Sequence, residues 1–199
     1  MDFVLDNKKF LVAGGAGLVG VNITQYLISR GIPVLSTYFT STPPVHLKTY
    51  YKRFDFTKYE DCIEATKGQD YVIICAVKAS GVAGMKQSPT ASILANLEIN
   101  AGLLEACSLN NVKKVVFISS STVYQEAYYQ ISEEQLDLNK PPYDLYFGVG
   151  WVNRYIEQLA EFYYKKHDLK IGIVRPTNIY GPYDKFDDEK SHVIPALIK

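Results

Sequence analysis

No apolar run in this sequence reaches the roughly 18 residues that a membrane-spanning helix needs. The opening stretch "MDFVLDNKKFLVAGGAG" has no basic region ahead of its apolar segment, so no secretory leader is expected. Neither sign of charge is in excess: 21 Lys and Arg balance 21 Asp and Glu, which leaves no field favouring nucleic acid or a membrane surface. Cysteine is scarce and odd in number, and the spacings of Cys62, Cys75 and Cys107 match neither a zinc site nor a disulfide framework. Reduced thiols in a cytoplasmic protein are the expectation. Internal repeats and low-complexity segments are also missing. What remains is a chain of 199 residues, 47% hydrophobic and 21% charged, which suits one domain with its own core and a small-molecule partner.

Short apolar runs alternate with longer helical patterns, the signature of βα units around a parallel sheet buried on both faces. The clearest strands are "KFLVAG" (9–14), "PVLST" (33–37), "YVIICAV" (71–77), "KVVFISS" (114–120) and "IGIVRP" (171–176), with a weaker one in "TYYKRFDF". Helices are expected in "LVGVNITQYLISRG", stopped by Gly31, in "TASILANLEINAGLLEACSLNN", stopped by Asn110 and Asn111, and in "YFGVGWVNRYIEQLAEFYY", running to about His167. After "NIYGPYD" comes a polar loop, "KFDDEKSH", and a helical start, "VIPALIK"; the pattern reads as a fragment that stops inside an element.

The stretch "LVAGGAGLVGVNI" places Gly15, Gly17 and Gly20 in G-x-G-x-x-G spacing, and Gly14, Gly17 and Gly20 in G-x-x-G-x-x-G spacing, between a strand and a helix. Glycine there allows a tight turn and lets backbone N–H groups approach a pyrophosphate at the helix N-terminus. The other reading is a turn kept small only for packing. Dinucleotide folds usually follow with an Asp or Glu that accepts from the adenine-side ribose. Here no acidic residue occurs between Asp6 and Asp55, and the second strand ends in "STYFTST", with Thr37 where such a carboxylate would stand. Nothing there repels a 2′-phosphate, while His46, Lys48, Lys52 and Arg53 follow, so NADP is expected ahead of NAD.

The stretches "AGGAGLVG", "FDFTKYED", "CAVKASGVAG", "FISSSTVY", "IEQLAEFYY", "RPTNIYGPYDKF" and "SHVIPALIK" together resemble an extended short-chain dehydrogenase/reductase. This is the group of nucleotide-sugar epimerases, dehydratases and reductases, and the motifs are most similar to its GDP-L-fucose synthase branch. The resemblance implies an α/β fold: a Rossmann-type doubly wound parallel sheet with helices on both faces, binding NAD(P), over residues 1–180. Residues 181–199 would begin an incomplete C-terminal substrate-binding region. It further implies hydride chemistry on a nucleotide sugar.

In that family a Ser, a Tyr and a Lys carry the chemistry: the Tyr as acid or base, the Lys lowering its pKa and holding the nicotinamide ribose, the Ser hydrogen-bonding the reacting oxygen. Ser120 fits the serine position; a serine capping the next turn is its other reading. Counting back from "RPTN" and from Glu157, the Tyr and Lys positions hold Val149 and Asn153. Valine transfers no proton and asparagine carries no charge. Tyr146, just upstream, is either a displaced catalytic tyrosine or a ring packed under the loop. The fucose synthase pattern also uses a cysteine and a histidine for epimerisation; these positions hold Thr122 and His192, the latter open to a plain surface or capping role.

The resemblance implies cofactor contacts at Gly14, Gly15, Gly17, Leu18, Val19 and Gly20. It extends them to Asp55 and Phe56 on the adenine side, to Ala76 and Val77 at the fourth strand's end, and to Pro176, Thr177, Asn178 and Ile179 along the nicotinamide. A helix-capping role is the other reading of Asp55. Three functions follow: an NAD(P)-binding relative with impaired or altered catalysis, an active epimerase or reductase using Tyr146 with Ser120, or a non-catalytic dinucleotide-binding or scaffolding protein. The helices at 90–108 and 149–166 are apolar around much of their circumference, which suits a homodimer, or burial of one helix under a loop. No metal site and no nucleic-acid or membrane partner is expected.

Overall fold

Six short β-branched and aromatic segments become the strands of one parallel sheet. The computed structural model describes residues 7–78, 90, 92–184 and 193–198. The strands are β1 (Phe10–Ala13), β2 (Val34–Tyr38), β3 (Tyr51–Arg53), β4 (Tyr71–Ile74), β5 (Lys114–Ile118) and β6 (Lys170–Val174). Their order is β3-β2-β1-β4-β5-β6, all neighbours parallel, with Leu11 opposite both Leu35 and Val72, and Phe117 opposite Ile173. This is the doubly wound order with its reversal between β1 and β4.

The pleat sends alternate side chains to opposite faces. On one face Leu11, Ala13, Val72, Ile74, Val115 and Phe117 join the main core, which is completed by α2 (Tyr59–Thr66), α3 (Ile93–Leu109) and α4 (Phe147–His167). On the other, Phe10 and Val12 pack with Ile23 and Leu27 of α1 (Leu18–Ser29). Helix α4 carries Val152, Ile156, Ala160 and Tyr163 on its buried side. Tyr163 also donates a very short hydrogen bond to Glu105 of α3.

Helix ends follow local chemistry. Gly31 turns left-handed at φ +68° just after α1, as do Asn111 at φ 55° after α3 and Asp168 at φ 53° after α4. Helix α4 also has Lys165, Lys166 and His167 in its last turn, favourable at the negative end of the helix dipole. The final element is α5 (Val193–Ile198). Among the described residues, no helix is long and apolar enough to cross a membrane.

Candidate functional site

The reversal in strand order opens a crevice at the carboxyl ends of β1 and β4, and the glycine turn stands at its edge. Gly14 adopts φ +79°, and a Cβ there would lie 2.5 Å from the Ala76 Cα. At Gly15 a Cβ would lie 1.7 Å from the Ser36 Oγ, and at Gly20 2.5 Å from the Gly14 carbonyl oxygen. Internal packing therefore demands three of the four glycines. Gly17 is different: the nearest atom to its Cβ would be the Gly14 carbonyl at an ordinary 3.6 Å. Among the described residues, nothing inside the protein requires glycine at that position.

Gly17 is the N-cap of α1, without a side-chain cap, and the first turn of α1 holds no acidic residue. The opening amides, those of Leu18 and Val19 included, thus have no side-chain cap and no acidic residue of their own turn to neutralise them. A small exposed N-cap above uncapped amides is the shape a dinucleotide pyrophosphate fits. The hydroxyl of Tyr51 braces the turn by donating to the Gly15 carbonyl at 2.9 Å, and Thr37 Oγ accepts from the Gly14 N–H at 2.9 Å.

Thr37 is fully buried and committed to that turn, so it is not the ribose-facing position the sequence pointed to. The half-buried residue at the carboxyl end of β2 is Tyr38, which is in register with Arg53 of β3. Arg53 lies over the Phe39 ring, 4.8 Å from its centre, and donates through Nε to the Phe39 carbonyl at 3.3 Å. Lys52 turns aside to Glu64. His46 is near Gln25, its Nε2 3.3 Å from the amide nitrogen.

Asp55 and Phe56 follow β3. The Asp55 carboxylate accepts from both the N–H and the hydroxyl of Thr57, a local capping arrangement. The Phe56 side chain is in the core, stacked on Phe54. At the end of β4, Ala76 supports Gly14 and Val77 is exposed. Asn96 of α3 holds Lys78 from both sides, accepting from its N–H at 2.8 Å and donating to its carbonyl at 3.3 Å.

At the end of β5 the Ser120–Thr122 loop meets α4. Ser120 Oγ accepts from the Thr122 N–H at 3.2 Å and caps the short 3₁₀ turn Ser121–Val123. Gly150 lets α4 come close, since a Cβ there would stand 2.6 Å from the Thr122 carbonyl. One turn along, the Asn153 amide points at the Thr122 hydroxyl, 3.5 Å away. Position 153 therefore does lie against the serine loop, but offers a neutral amide. Val149 is beside it on the same helix, half-buried. Tyr146, the N-cap of α4, opens instead on a cleft of about 350 Å³, together with Ser121, Thr122, Tyr124 and Tyr143. Ser120 does not line that cleft. His192 lies outside the described residues.

Sequence reading missed a buried network beneath this end. Glu157 accepts from Ser119 at 2.6 Å and forms a two-pronged ion pair with Arg175, at 3.0 and 2.7 Å, while Arg175 also reaches the Tyr124 hydroxyl at 3.1 Å. These bonds hold Arg175 still further above the usual guanidinium range. Arg154, 2% exposed, donates to the carbonyls of Val123 and Lys140 and lies over Trp151; burial lowers its pKa. The signal was present: Arg154 and Glu157 interrupt the apolar face formed by Val152, Ile156 and Ala160.

From β6 the chain returns across the crevice. The Pro176 carbonyl accepts from Ser121 N–H, Thr177, Asn178 and Ile179 are exposed, and Pro182 and Tyr183 accept from Asn22 and Gln25 of α1. Among the described residues no group of His, Cys, Asp or Glu could hold a metal.

Comparison with known proteins agrees with this fold. Residues 10–199 match the model of the NAD dependent epimerase/dehydratase family. A probable GDP-L-fucose synthase 1 of Oryza sativa subsp. japonica is 32% identical over 197 residues, 96% of this chain and 56% of that relative. A GDP-L-fucose synthetase of Naegleria fowleri bound to NADP superposes with a TM-score of 0.77 at 25% identity, covering 96% of this chain and 60% of that one. A GDP-mannoheptose C4 reductase of Campylobacter jejuni with NADP bound gives a TM-score of 0.81, at 25% identity and 96% and 54% coverage. The chain spans little more than half the length of these relatives.

Proposed function

Because this chain belongs to the NAD dependent epimerase/dehydratase family, we propose that it is an NAD(P)-binding relative of the nucleotide-sugar epimerases and reductases whose own hydride chemistry is impaired. One observation carries the reading: α4 presents the neutral Asn153 to the loop of Ser120 and Thr122, with Val149 one turn before it on the same helix. Losing a positioned acid or base typically costs about 10²- to 10⁴-fold in rate. A threonine at 122 is a far weaker acid than a thiol, so epimerisation suffers as well.

NADP is the preferred cofactor in this reading, supported by the lack of any carboxylate between Asp6 and Asp55 and by Arg53 at the β3 end. When bound, the nicotinamide supplies hydride transfer. The chain's own residues would hold the pyrophosphate on the α1 amides and present Ser120 and Thr122 hydroxyls towards the reacting end. The partner is a nucleotide sugar. A homodimer is supported by the exposed aromatic row Phe147, Trp151, Tyr155 and Phe162 on α4, and a cytoplasmic setting by three free thiols.

A second reading keeps the enzyme active through Tyr146, favoured by its place in the cleft with Thr122 and Tyr124. The test compares NADPH oxidation by the native chain, Tyr146→Phe and the double variant Val149→Tyr with Asn153→Lys, over a panel of nucleotide sugars. Impaired catalysis predicts that the first two are equally silent and only the double variant gains turnover. Activity lost on Tyr146→Phe alone would establish the second reading instead.

A further inference from the structure

We infer that the site draws its affinity from the adenosine–pyrophosphate half of the dinucleotide alone, so that it binds ADP-ribose-type nucleotides as tightly as whole NADP and does not distinguish the oxidised from the reduced nicotinamide. This rests on the dinucleotide reading of the glycine turn. The two halves of the crevice are unequal. On the β1–β3 side, Gly17 leaves room above the α1 amides among the described residues, and the first turn of α1 holds no acidic residue. Arg53 stands at the β3 end over the Phe39 ring, with Nε as its hydrogen-bond donor among the described residues.

On the β5–β6 side the charged pair and the Ser119, Ser120 and Asn153 side chains are already engaged inside the protein. Ser119, Glu157, Arg175 and Tyr124 close on one another, and the ion pair there has no spare charge. Ser120 accepts from Thr122, and the Asn153 amide faces the Thr122 hydroxyl. A ribose or nicotinamide arriving against these groups would displace existing hydrogen bonds, and the Arg175 charge among them is already paired with Glu157. Hydrogen bonds exchanged one for one contribute little net affinity, whereas a phosphate on uncapped amides gains charge-assisted bonds.

Isothermal titration of the native chain with NADP, NADPH, 2′-phospho-ADP-ribose and nicotinamide mononucleotide tests this directly. Dissociation constants for the first three should agree within about threefold, and the mononucleotide should give no heat of binding. Asn153→Lys, which restores a cation at the β5 end, should make NADP bind at least about tenfold tighter than the fragment, a factor equal to one decade in Kd. A native chain that binds NADP more than tenfold tighter than 2′-phospho-ADP-ribose would overturn the inference while leaving the dinucleotide site intact. If neither NADP nor the fragment binds, the dinucleotide reading falls with it.

Discussion

Gly17 and Gly20 belong to one turn, yet their substitution should fail in different ways. A methyl at position 20 would meet the Gly14 carbonyl at 2.5 Å, so Gly20→Ala forces the backbone apart; overpacking of this kind costs about 1–3 kcal/mol, visible as a lower Tm. A methyl at position 17 meets nothing closer than 3.6 Å, so Gly17→Ala should keep the native Tm and lose nucleotide affinity by about tenfold or more, ~1.4 kcal/mol. Calorimetry of the two variants with and without NADP separates the effects. The thiols give a second check at this scale. Burial pushes Cys62 and Cys75 each up to about 12, so neither should react with a thiol reagent near pH 8 until denaturant is added. The folded thiols are harder to ionise than the unfolded ones, whose pKa is about 8.5. Their contribution is therefore intact below that value and is lost as pH rises towards 12, and the urea midpoint should fall accordingly. Single residues are also where sequence reading reached least far. The glycine spacing was legible, but not that Gly14, Gly15 and Gly20 answer to packing while Gly17 alone faces outward. Likewise the sequence put Thr37 where a ribose-binding carboxylate would stand and Phe56 beside Asp55 on the adenine side, and could not show that both side chains are buried.

Elements were far more legible, because the strands of a parallel sheet write themselves as apolar runs, even in β6, which is largely exposed. Five strands and the three long helices emerged from the sequence within a few residues, and the weak segment "TYYKRFDF" did become β3, only three residues long. The eight-residue helix α2 was not named, since its sequence YEDCIEAT mixes charge through a stretch too short to display a period. Nor could spacing alone show that α4 is pinned to the sheet by charge. Its buried Glu157 joins Ser119 at the β5 end to Arg175 after β6, so one side chain clamps three elements. Glu157→Leu should lower stability by about 3–5 kcal/mol, because it strands a largely buried guanidinium. In comparison Ile156→Ala, at a fully buried position one residue away, should cost about 2–5 kcal/mol through the cavity it leaves. Urea unfolding of each, and of the double change Glu157→Leu with Arg175→Leu, distinguishes the two causes. The double change should recover part of the Glu157 loss, while Ile156→Ala has no partner that restores it.

At the scale of the whole molecule, the strand order β3-β2-β1-β4-β5-β6 puts the glycine turn at the point of reversal and the serine loop two strands away. That separation matches an extended dinucleotide lying across the crevice. The outer face of α4 carries an exposed aromatic row, with Leu94 and Leu109 exposed on the neighbouring α3. If these faces pair two copies, sedimentation equilibrium should give twice the 22.4 kDa chain mass, and Trp151→Glu should return the chain mass itself. The central claim concerns what the crevice does once filled: a cofactor held at the glycine turn, and little chemistry at the far end. Its most direct test is a single-turnover experiment in which the native chain, shown by titration to be saturated with NADPH, is mixed with a panel of nucleotide sugars while nicotinamide absorbance is followed. The account predicts saturable NADPH binding and an unchanged trace. A full-amplitude loss of NADPH absorbance at the roughly 1–10³ per second typical of competent enzymes would contradict it.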